Sequence, residues 1–149
     1  MAQFFSAHWI HLIWATKYRE NLITAKLKWP LYKQIKAICE EKHYYLDFIN
    51  GISDHIHILM GLNTTDSVSE VVKNIKGLSQ NWVNTQTTQE QRFSWQDGYA
   101  VVSVSPSNVQ KVRNYIKKQE IHHAHKSFKE EWNSLKNAVF VEKDEQFFL

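Results

Sequence analysis

Strand-like and helix-like hydrophobic patterns alternate along the chain, and their order limits the fold more than any other feature. Period-two alternation predicts strands, and recurrence at i, i+3 and i+4 predicts helices. The predicted strands are His8 to Thr16, Tyr45 to Asn50, His55 to Leu62 and Tyr99 to Val104. A helix from Ala25 to Lys42 follows the first strand, and a helix capped by Asp66 or Ser67 that ends near Asn84 follows the third. A last helix, begun by Ser105-Pro106-Ser107, follows the fourth strand. This βαββαβ order with an added helix predicts an α+β ferredoxin-like (RRM-like) sandwich, in which helices cover one face of an antiparallel sheet.

Length and composition fit a globular protein. The chain has 149 residues, of which 43 % are hydrophobic and 13 % aromatic, and we expect a single domain over residues 1–149. No uncharged apolar run approaches the roughly 18 residues of a membrane-spanning helix, and Met1 to Phe5 lacks the features of a signal peptide. The single Cys39 has no partner for an internal disulfide, which favours a reducing cytoplasm.

Two histidines share one predicted strand. His55 and His57 are separated by one residue, so both imidazoles project from the same face. Ile56 and Ile58 then turn towards a core while the histidines face outward. Two adjacent imidazoles are suitable ligands for one divalent metal, although two solvent-facing histidines on a half-buried strand would give the same pattern.

The last predicted helix carries a tyrosine and a glutamine on one row. Tyr115 and Gln119 are i and i+4, beside the apolar stripe, and His122 continues the row. For this helix taken alone, Tyr115 fits an aromatic at the edge of a core and Gln119 a solvated polar residue. Together with the histidine pair, the row favours a shared site.

Four blocks of sequence carry a resemblance to a known family. They are His11 to Arg19, Asp54 to His57, Phe93 to Tyr99 and Tyr115 to His123. In this order they resemble the single-tyrosine HUH transposases of the smallest bacterial insertion sequences, the IS200-like transposases. The signature of that family is histidine-hydrophobic-histidine on a strand and a tyrosine followed by glutamine on a helix. The resemblance covers nearly the whole chain and departs from the family pattern at Ala100-Val101-Val102.

The resemblance implies an enzyme that cleaves and rejoins single-stranded DNA at insertion-sequence ends. Tyr115, on a C-terminal catalytic tyrosine helix, would attack phosphorus and stay joined to the 5′ phosphate, leaving a free 3′ hydroxyl. His55, His57 and Gln119 would hold a divalent metal, Mn²⁺ or Mg²⁺, that stabilises charge on the phosphate oxygens. This donor set favours Mn²⁺. Asp54 would orient a histidine, or would simply hold the hairpin turn.

The resemblance also implies partners. They are single-stranded DNA with a hairpin at each transposon end, and a second copy of the chain, in a homodimer whose tyrosine helices complete the partner's histidine pair. The tyrosine helix follows the last strand closely, so a site built within one chain is equally open. Charge alone gives the candidate DNA contacts, on a chain of net charge +3: Lys73, Lys76, Arg113 and Lys117. Such residues are also typical of a solvated helix face.

Other readings of the same patterns stay open. A non-catalytic single-stranded nucleic-acid-binding module would use an RRM-like sheet, but it would want Phe or Tyr where His55 and His57 lie. A domesticated HUH nuclease acting on repeated genomic hairpins would share all the motifs. Trp82 and Trp95 suit either base stacking or core packing. Beyond the tyrosine helix, Phe128 to Leu135 predicts a short amphipathic helix, and the apolar tail 139–149 is expected to pack on another surface.

Overall fold

A four-stranded antiparallel sheet with the spatial order β2-β3-β1-β4 forms the centre of the fold. The computed structural model describes residues 5–86, 91–123 and 127–139. The strands are β1 (His8–Ala15), β2 (Tyr45–Ile52), β3 (His55–Leu62) and β4 (Ala100–Val104). The helices are α1 (Ala25–Glu41), α2 (Val68–Asn84), α3 (Val109–Lys117), α4 (Gln119–His123) and α5 (Phe128–Val139). The α+β sandwich predicted from the order of patterns is confirmed.

One face of the sheet packs against α1 and α2. Strand alternation puts Leu12 and Trp14 of β1 beside Ile58 and Ile56 of β3 on this face, and all four are at most 1 % exposed. The helices add apolar residues at helical spacing, among them Leu31, Ile35, Val72 and Ile75. Each fully buried aliphatic side chain contributes roughly 2 kcal/mol, so this apolar core is the main source of stability.

The opposite face is covered by the C-terminal helices. The strand register pairs Ile13 of β1 with His57 of β3 on this side. Ile116 of α3 packs against Leu59, and Phe128 of α5 packs against Ile13. Both faces of the sheet are therefore buried, and a polar group on either face needs a partner within the protein.

The predicted tyrosine helix is divided in two. α3 ends at Lys117, and Lys118 (φ −98°, ψ 19°) separates it from α4. The side-chain amide of Asn50 on β2 donates hydrogen bonds to the carbonyl oxygens of Ile116 and Lys117, at 3.0 and 3.3 Å. The last carbonyls of a helix have no partners within it, and Asn50 supplies the donor that lets α3 end there. The break therefore ties the tyrosine helix to the sheet.

The β2–β3 hairpin is tighter than predicted. β2 runs to Ile52, so only Ser53 and Asp54 form the turn. A Cβ atom at Gly51 would overlap the carbonyl oxygen of His55, and only glycine permits this close approach. The hairpin thus places His55 directly after the turn.

Helix starts follow the sequence signals closely. Of the two predicted caps of α2, it is Ser67 whose hydroxyl accepts a hydrogen bond, from the backbone N–H of Glu70 at 3.2 Å. Pro106 opens a 3₁₀ turn, and α3 itself begins at Val109. No helix in the described ranges is long and apolar enough to cross a membrane. The predicted packing of the tail concerns residues 140–149, which lie outside the described residues.

Candidate active site

The histidine pair lies on the sheet face that the C-terminal helices cover. His55 and His57 point away from the α1/α2 core, as the alternation predicts, but both are 0 % exposed. The prediction that they face outward is therefore wrong, because α3 and α5 bury this side of the sheet. Alternation within one strand carries no information about a helix that packs on it from far along the chain.

Each imidazole turns its Nε2 atom towards the C-terminal helices. Nδ1 of His55 lies 2.7 Å from Oδ1 of Asp54, and Nδ1 of His57 lies 2.8 Å from Nε2 of His11 on β1. Because the Nδ1 atoms contact Asp54 and His11 on the sheet side, the Nε2 atom of each ring faces the C-terminal helices. Asp54 makes the contact that an orienting residue would make, whereas no role was predicted for His11.

Tyr115 and Gln119 contact the same two imidazoles. Oε1 of Gln119 lies 3.3 Å from Nε2 of His55, and Gln119 is 0 % exposed, so it is not the solvated residue that the helix alone suggested. Tyr115 is half-buried and meets the ring of His57 edge-on, with 5.9 Å between centroids. All four side chains come from one chain. The side chain of His122, predicted to continue the row, lies outside the described part of the structure.

Glu131 of α5 is a fifth member of the cluster, and sequence reasoning missed it. Its Oε1 atom lies 2.9 Å from Nε2 of His57 and 3.5 Å from Nε2 of His55. Its Oε2 atom accepts hydrogen bonds from Nε2 of Gln119, at 3.2 Å, and from the hydroxyl of Tyr115. Glu131 is 2 % exposed, so its carboxylate is shielded from water.

The sequence held a signal for Glu131. Phe128, Trp132 and Leu135 define the apolar stripe predicted for α5, and Glu131 occupies a position of that stripe. Burial of an unpaired carboxylate is unfavourable by several kcal/mol or more. A glutamate on an apolar stripe therefore indicates a polar partner across the helix interface.

Opposite charges stabilise one another inside the cluster. Burial alone lowers the pKa of His55, but its hydrogen bonds to Asp54 and Glu131 outweigh burial and raise that pKa. Burial alone raises the pKa of Glu131, but hydrogen bonds from both histidines hold that pKa well below its usual range. Burial and the hydrogen bond to Glu131 raise the pKa of Tyr115. The cluster thus favours the charged forms of Glu131 and His55 and the neutral form of the Tyr115 phenol.

The donor atoms fit a divalent metal. His55, His57 and Glu131 each offer one ligand atom, and these atoms lie within 4.8 Å of one another. Oε1 of Gln119 borders the same space. Two imidazole nitrogens with carboxylate and amide oxygens suit Mn²⁺, and a cation there would replace the positive charge of a protonated His55.

The predicted DNA-contact residues do not form one patch. Lys73 and Lys76 lie on α2, across the sheet from the histidines, whereas Arg113 and Lys117 lie on α3. The ammonium of Lys76 donates to two backbone carbonyls before β4, at 2.5 and 3.1 Å. The guanidinium of Arg113 makes two bonds to Asp47, at 2.7 and 2.8 Å. DNA contact stays a prediction for all four, and Lys73 and Lys117 are the two exposed residues among them.

The two candidate stacking tryptophans pack with the core. Trp95 is 4 % exposed and meets Trp14 edge-on, with 5.9 Å between ring centroids. Trp82 is partly buried against the same α1/α2 core. Trp95 therefore offers no ring face to a base.

An α+β sheet with this cluster on its covered face fits the single-tyrosine class of DNA-cleaving enzymes to which the motifs pointed. A family model described as Transposase IS200 like matches residues 4–119. The chain belongs to the IS200-like transposase family and is an enzyme that cleaves and rejoins DNA. Gln119 is the last matched residue, so α5 and Glu131 lie beyond the match.

Two transposases from other bacteria are similar to this chain over most of their length. The ISDra2 transposase TnpA of Deinococcus radiodurans is 24 % identical over 114 residues, which cover 73 % of this chain and 81 % of the relative. The transposase for insertion sequence element IS200 of Salmonella typhimurium is 27 % identical over 114 residues, which cover 73 % and 74 %. Both are transposases, in agreement with the family model.

Two solved structures share the fold. A Deinococcus radiodurans protein assigned to the transposases matches with a TM-score of 0.63 and 24 % identity, over 80 % of this chain and 96 % of its own. A REP-associated tyrosine transposase bound to a REP hairpin matches with a TM-score of 0.59 and 15 % identity, over 83 % and 74 %. These likenesses confirm the predicted fold class.

Proposed function

We propose that the chain cleaves and rejoins single-stranded DNA at the ends of an insertion sequence, with Tyr115 as the nucleophile and His55, His57 and Gln119 as ligands of a divalent metal. One observation carries the proposal. The tyrosine hydroxyl, both Nε2 atoms and the amide of Gln119 converge on the carboxylate of Glu131. A module that only binds nucleic acid has no need of this convergence.

The reaction exchanges one phosphate ester for another. The O–H bond of Tyr115 breaks and its oxygen bonds to phosphorus, while the bond from phosphorus to the 3′ oxygen breaks and that oxygen takes up a proton. A bound divalent cation would supply Lewis-acid stabilisation of the non-bridging oxygens. The 5′-phosphotyrosine keeps the energy of the ester, so a second DNA end can be joined without ATP.

Entry of DNA requires that α5 move. His55 and His57 have no exposed surface beneath the C-terminal helices, and the scissile phosphate must reach the metal that their Nε2 atoms would hold. The hydroxyl of Tyr115 points at Oε2 of Glu131, and the phosphorus that Tyr115 attacks must lie where that hydroxyl points. We infer that the Glu131 carboxylate occupies the place of the scissile phosphate and is exchanged for it when DNA binds.

The expected substrate is single-stranded DNA with a hairpin end. A structural relative is bound to a REP hairpin, and the exposed Lys73 and Lys117 are available for phosphate contacts. Two substrates separate the alternatives, a hairpin from an insertion-sequence end and a repeated genomic hairpin. A domesticated nuclease would cleave the repeated hairpin in preference to the insertion-sequence end.

The deciding experiment is a denaturing gel of the full chain incubated with single-stranded hairpin DNA and Mn²⁺. We expect a protein–DNA adduct that survives denaturant and that does not form when the metal is removed with a chelator. A chain that shifts DNA in a native gel but gives no adduct would be a non-catalytic binding module.

The homodimer with shared sites is also proposed from the family resemblance. Each chain carries both halves of a site, so sharing would require α3 to dock on the partner's sheet. Mixing Tyr115→Phe chains with His55→Ala chains tests this, because exchange restores one intact site in each heterodimer. Background activity in a mixture shown to contain heterodimers would mean that each chain acts alone.

A further inference from the structure

We propose that His11 is a positioning residue for the reaction, which holds His57 in the ring orientation that presents Nε2 to the metal. The inference rests on the proposed metal site and extends it to a residue on another strand. His11 is not a ligand itself, because its Nε2 atom is engaged by His57. Its effect on the reaction would be indirect.

The contact is close and shielded from water. Nε2 of His11 and Nδ1 of His57 are 2.8 Å apart, and the two residues are 4 % and 0 % exposed. His57 pairs with Ile13 across the β1–β3 ladder, and His11 lies two residues before Ile13 on the same face. The two histidines are therefore diagonal neighbours on adjacent strands, a relation that long side chains can bridge.

The chemistry of metal binding fixes the direction of this hydrogen bond. Nε2 of His57 binds a metal through its lone pair, so the hydrogen of the neutral ring must be on Nδ1. A buried N–H group needs an acceptor, and Nε2 of His11 is within hydrogen-bond distance. Outer partners of this kind orient ligating histidines, and their loss typically weakens metal binding by about 10–100-fold.

The two ligand histidines are held by different partners. Asp54 contacts Nδ1 of His55 from the hairpin turn, and His11 contacts Nδ1 of His57 from the neighbouring strand. A carboxylate accepts from either charge state of the imidazole that it holds, whereas an imidazole accepts only through its bare nitrogen. In the other tautomer of His11 the same nitrogen donates, so a metal at Nε2 of His57 would set the direction of this hydrogen bond, and His11 would hold the orientation of the His57 ring.

Metal affinity separates a positioning role from a purely structural one. If His11 only satisfies a buried polar neighbour, its replacement changes the free energy of unfolding and leaves metal binding by the folded chain unchanged. If it positions His57, Mn²⁺ affinity falls even in a variant that stays folded. Binding of Mn²⁺ to the full chain, freed of metal beforehand, is measured by electron paramagnetic resonance without DNA and without turnover.

Three variants make the test. His11→Leu removes the acceptor, and we expect its Mn²⁺ affinity to fall by about 10–100-fold. His11→Gln keeps an acceptor oxygen and should recover most of that affinity. Ile13→Val, on the same strand and face, is the matched control and should bind Mn²⁺ as the parent does. Adduct formation by His11→Leu should recover at high Mn²⁺ concentration, because the loss is one of affinity.

A folded His11→Leu chain that binds Mn²⁺ within about twofold of the parent overturns the proposal. If His11→Leu does not fold, His11→Met replaces it, and equal Mn²⁺ affinities for the Met and Gln variants overturn the proposal. Failure of the proposed metal site itself gives a different result. The parent would then bind no Mn²⁺, or would bind it as well after His55→Ala as before.

Discussion

The two faces of this one sheet are buried by different means. On the α1/α2 side the strands present Leu12, Trp14 and Ile58, and the helices pack apolar side chains against them. On the α3/α5 side the same strands present histidines among apolar residues such as Ile13 and Leu59. The buried polar groups that meet the histidines are Gln119 and Glu131. Apolar packing tolerates many partners, whereas each buried polar group needs a particular one. The difference separates a face that maintains the fold from a face whose polar groups fit the proposed reaction.

The largest expected effect is confined to the polar face. Tyr115→Phe removes only the hydroxyl, so adduct formation should be lost completely while folding and DNA binding are nearly unchanged. Tyr45→Phe is the control, because Tyr45 is an exposed tyrosine of β2. The measurement is the adduct band on a denaturing gel. Cleavage by Tyr115→Phe at the parent rate would mean that another group is the nucleophile.

Neighbouring residues of β3 on opposite faces give the sharpest form of the comparison. Ile58→Ala should lower the free energy of unfolding by about 2–5 kcal/mol and leave Mn²⁺ binding by the folded chain unchanged. His57→Ala should lower Mn²⁺ affinity by roughly 100-fold, since it removes a proposed ligand. Denaturant unfolding and electron paramagnetic resonance measure the two quantities.

Stability also responds to His57→Ala. A histidine facing solvent would give a loss within about 1 kcal/mol, but His57 is buried between His11 and Glu131. Its removal leaves both without a partner at this contact, so we expect a loss of roughly 1–3 kcal/mol. If Ile58→Ala impaired Mn²⁺ binding as much as His57→Ala, the two faces would not be separable.

The same comparison explains how far the sequence predicts the molecule. Periodicity within single elements predicts the strands, α1, α2 and the βαββαβ order, because each pattern is local. The family resemblance supplies Tyr115, His55, His57 and Gln119 as candidates. Three features depend on which elements pack together. They are the burial of the histidines, the contact of His57 with His11, and the position of Glu131 beside both histidines. No local pattern carries that information, apart from one glutamate on an apolar stripe.

An intermediate effect is expected at Gln119, which joins the helices to the histidine strand. Its Oε1 atom is 3.3 Å from Nε2 of His55, so Gln119→Ala should weaken Mn²⁺ binding and adduct formation together, by about tenfold. Gln110→Ala is the control, since Gln110 lies exposed on α3 and alanine is well tolerated in helices. Equal Mn²⁺ binding by the two variants would exclude Gln119 as a ligand.

The smallest expected effect, and the only gain, is at Glu131. If its carboxylate holds the place of the scissile phosphate, Glu131→Gln removes the charge that binds both histidines and makes the exchange for DNA easier. Adduct formation at fixed Mn²⁺ should then rise a few-fold, while the metal-free chain loses stability because the buried imidazolium has lost its counter-charge. Glu130→Gln, on the exposed side of α5, keeps a side chain able to bond Ser127 and should change neither quantity.

The direction of the change at Glu131 decides between two roles for the same contacts. A carboxylate that is needed as a ligand throughout the reaction would give weaker Mn²⁺ binding and slower adduct formation in Glu131→Gln. A carboxylate that only occupies the phosphate position would give faster adduct formation, with the gain largest at low DNA concentration, where exchange limits the rate. The polar face of the sheet would then be held closed by a group that resembles its substrate, a means of control that the apolar face has no chemistry to provide.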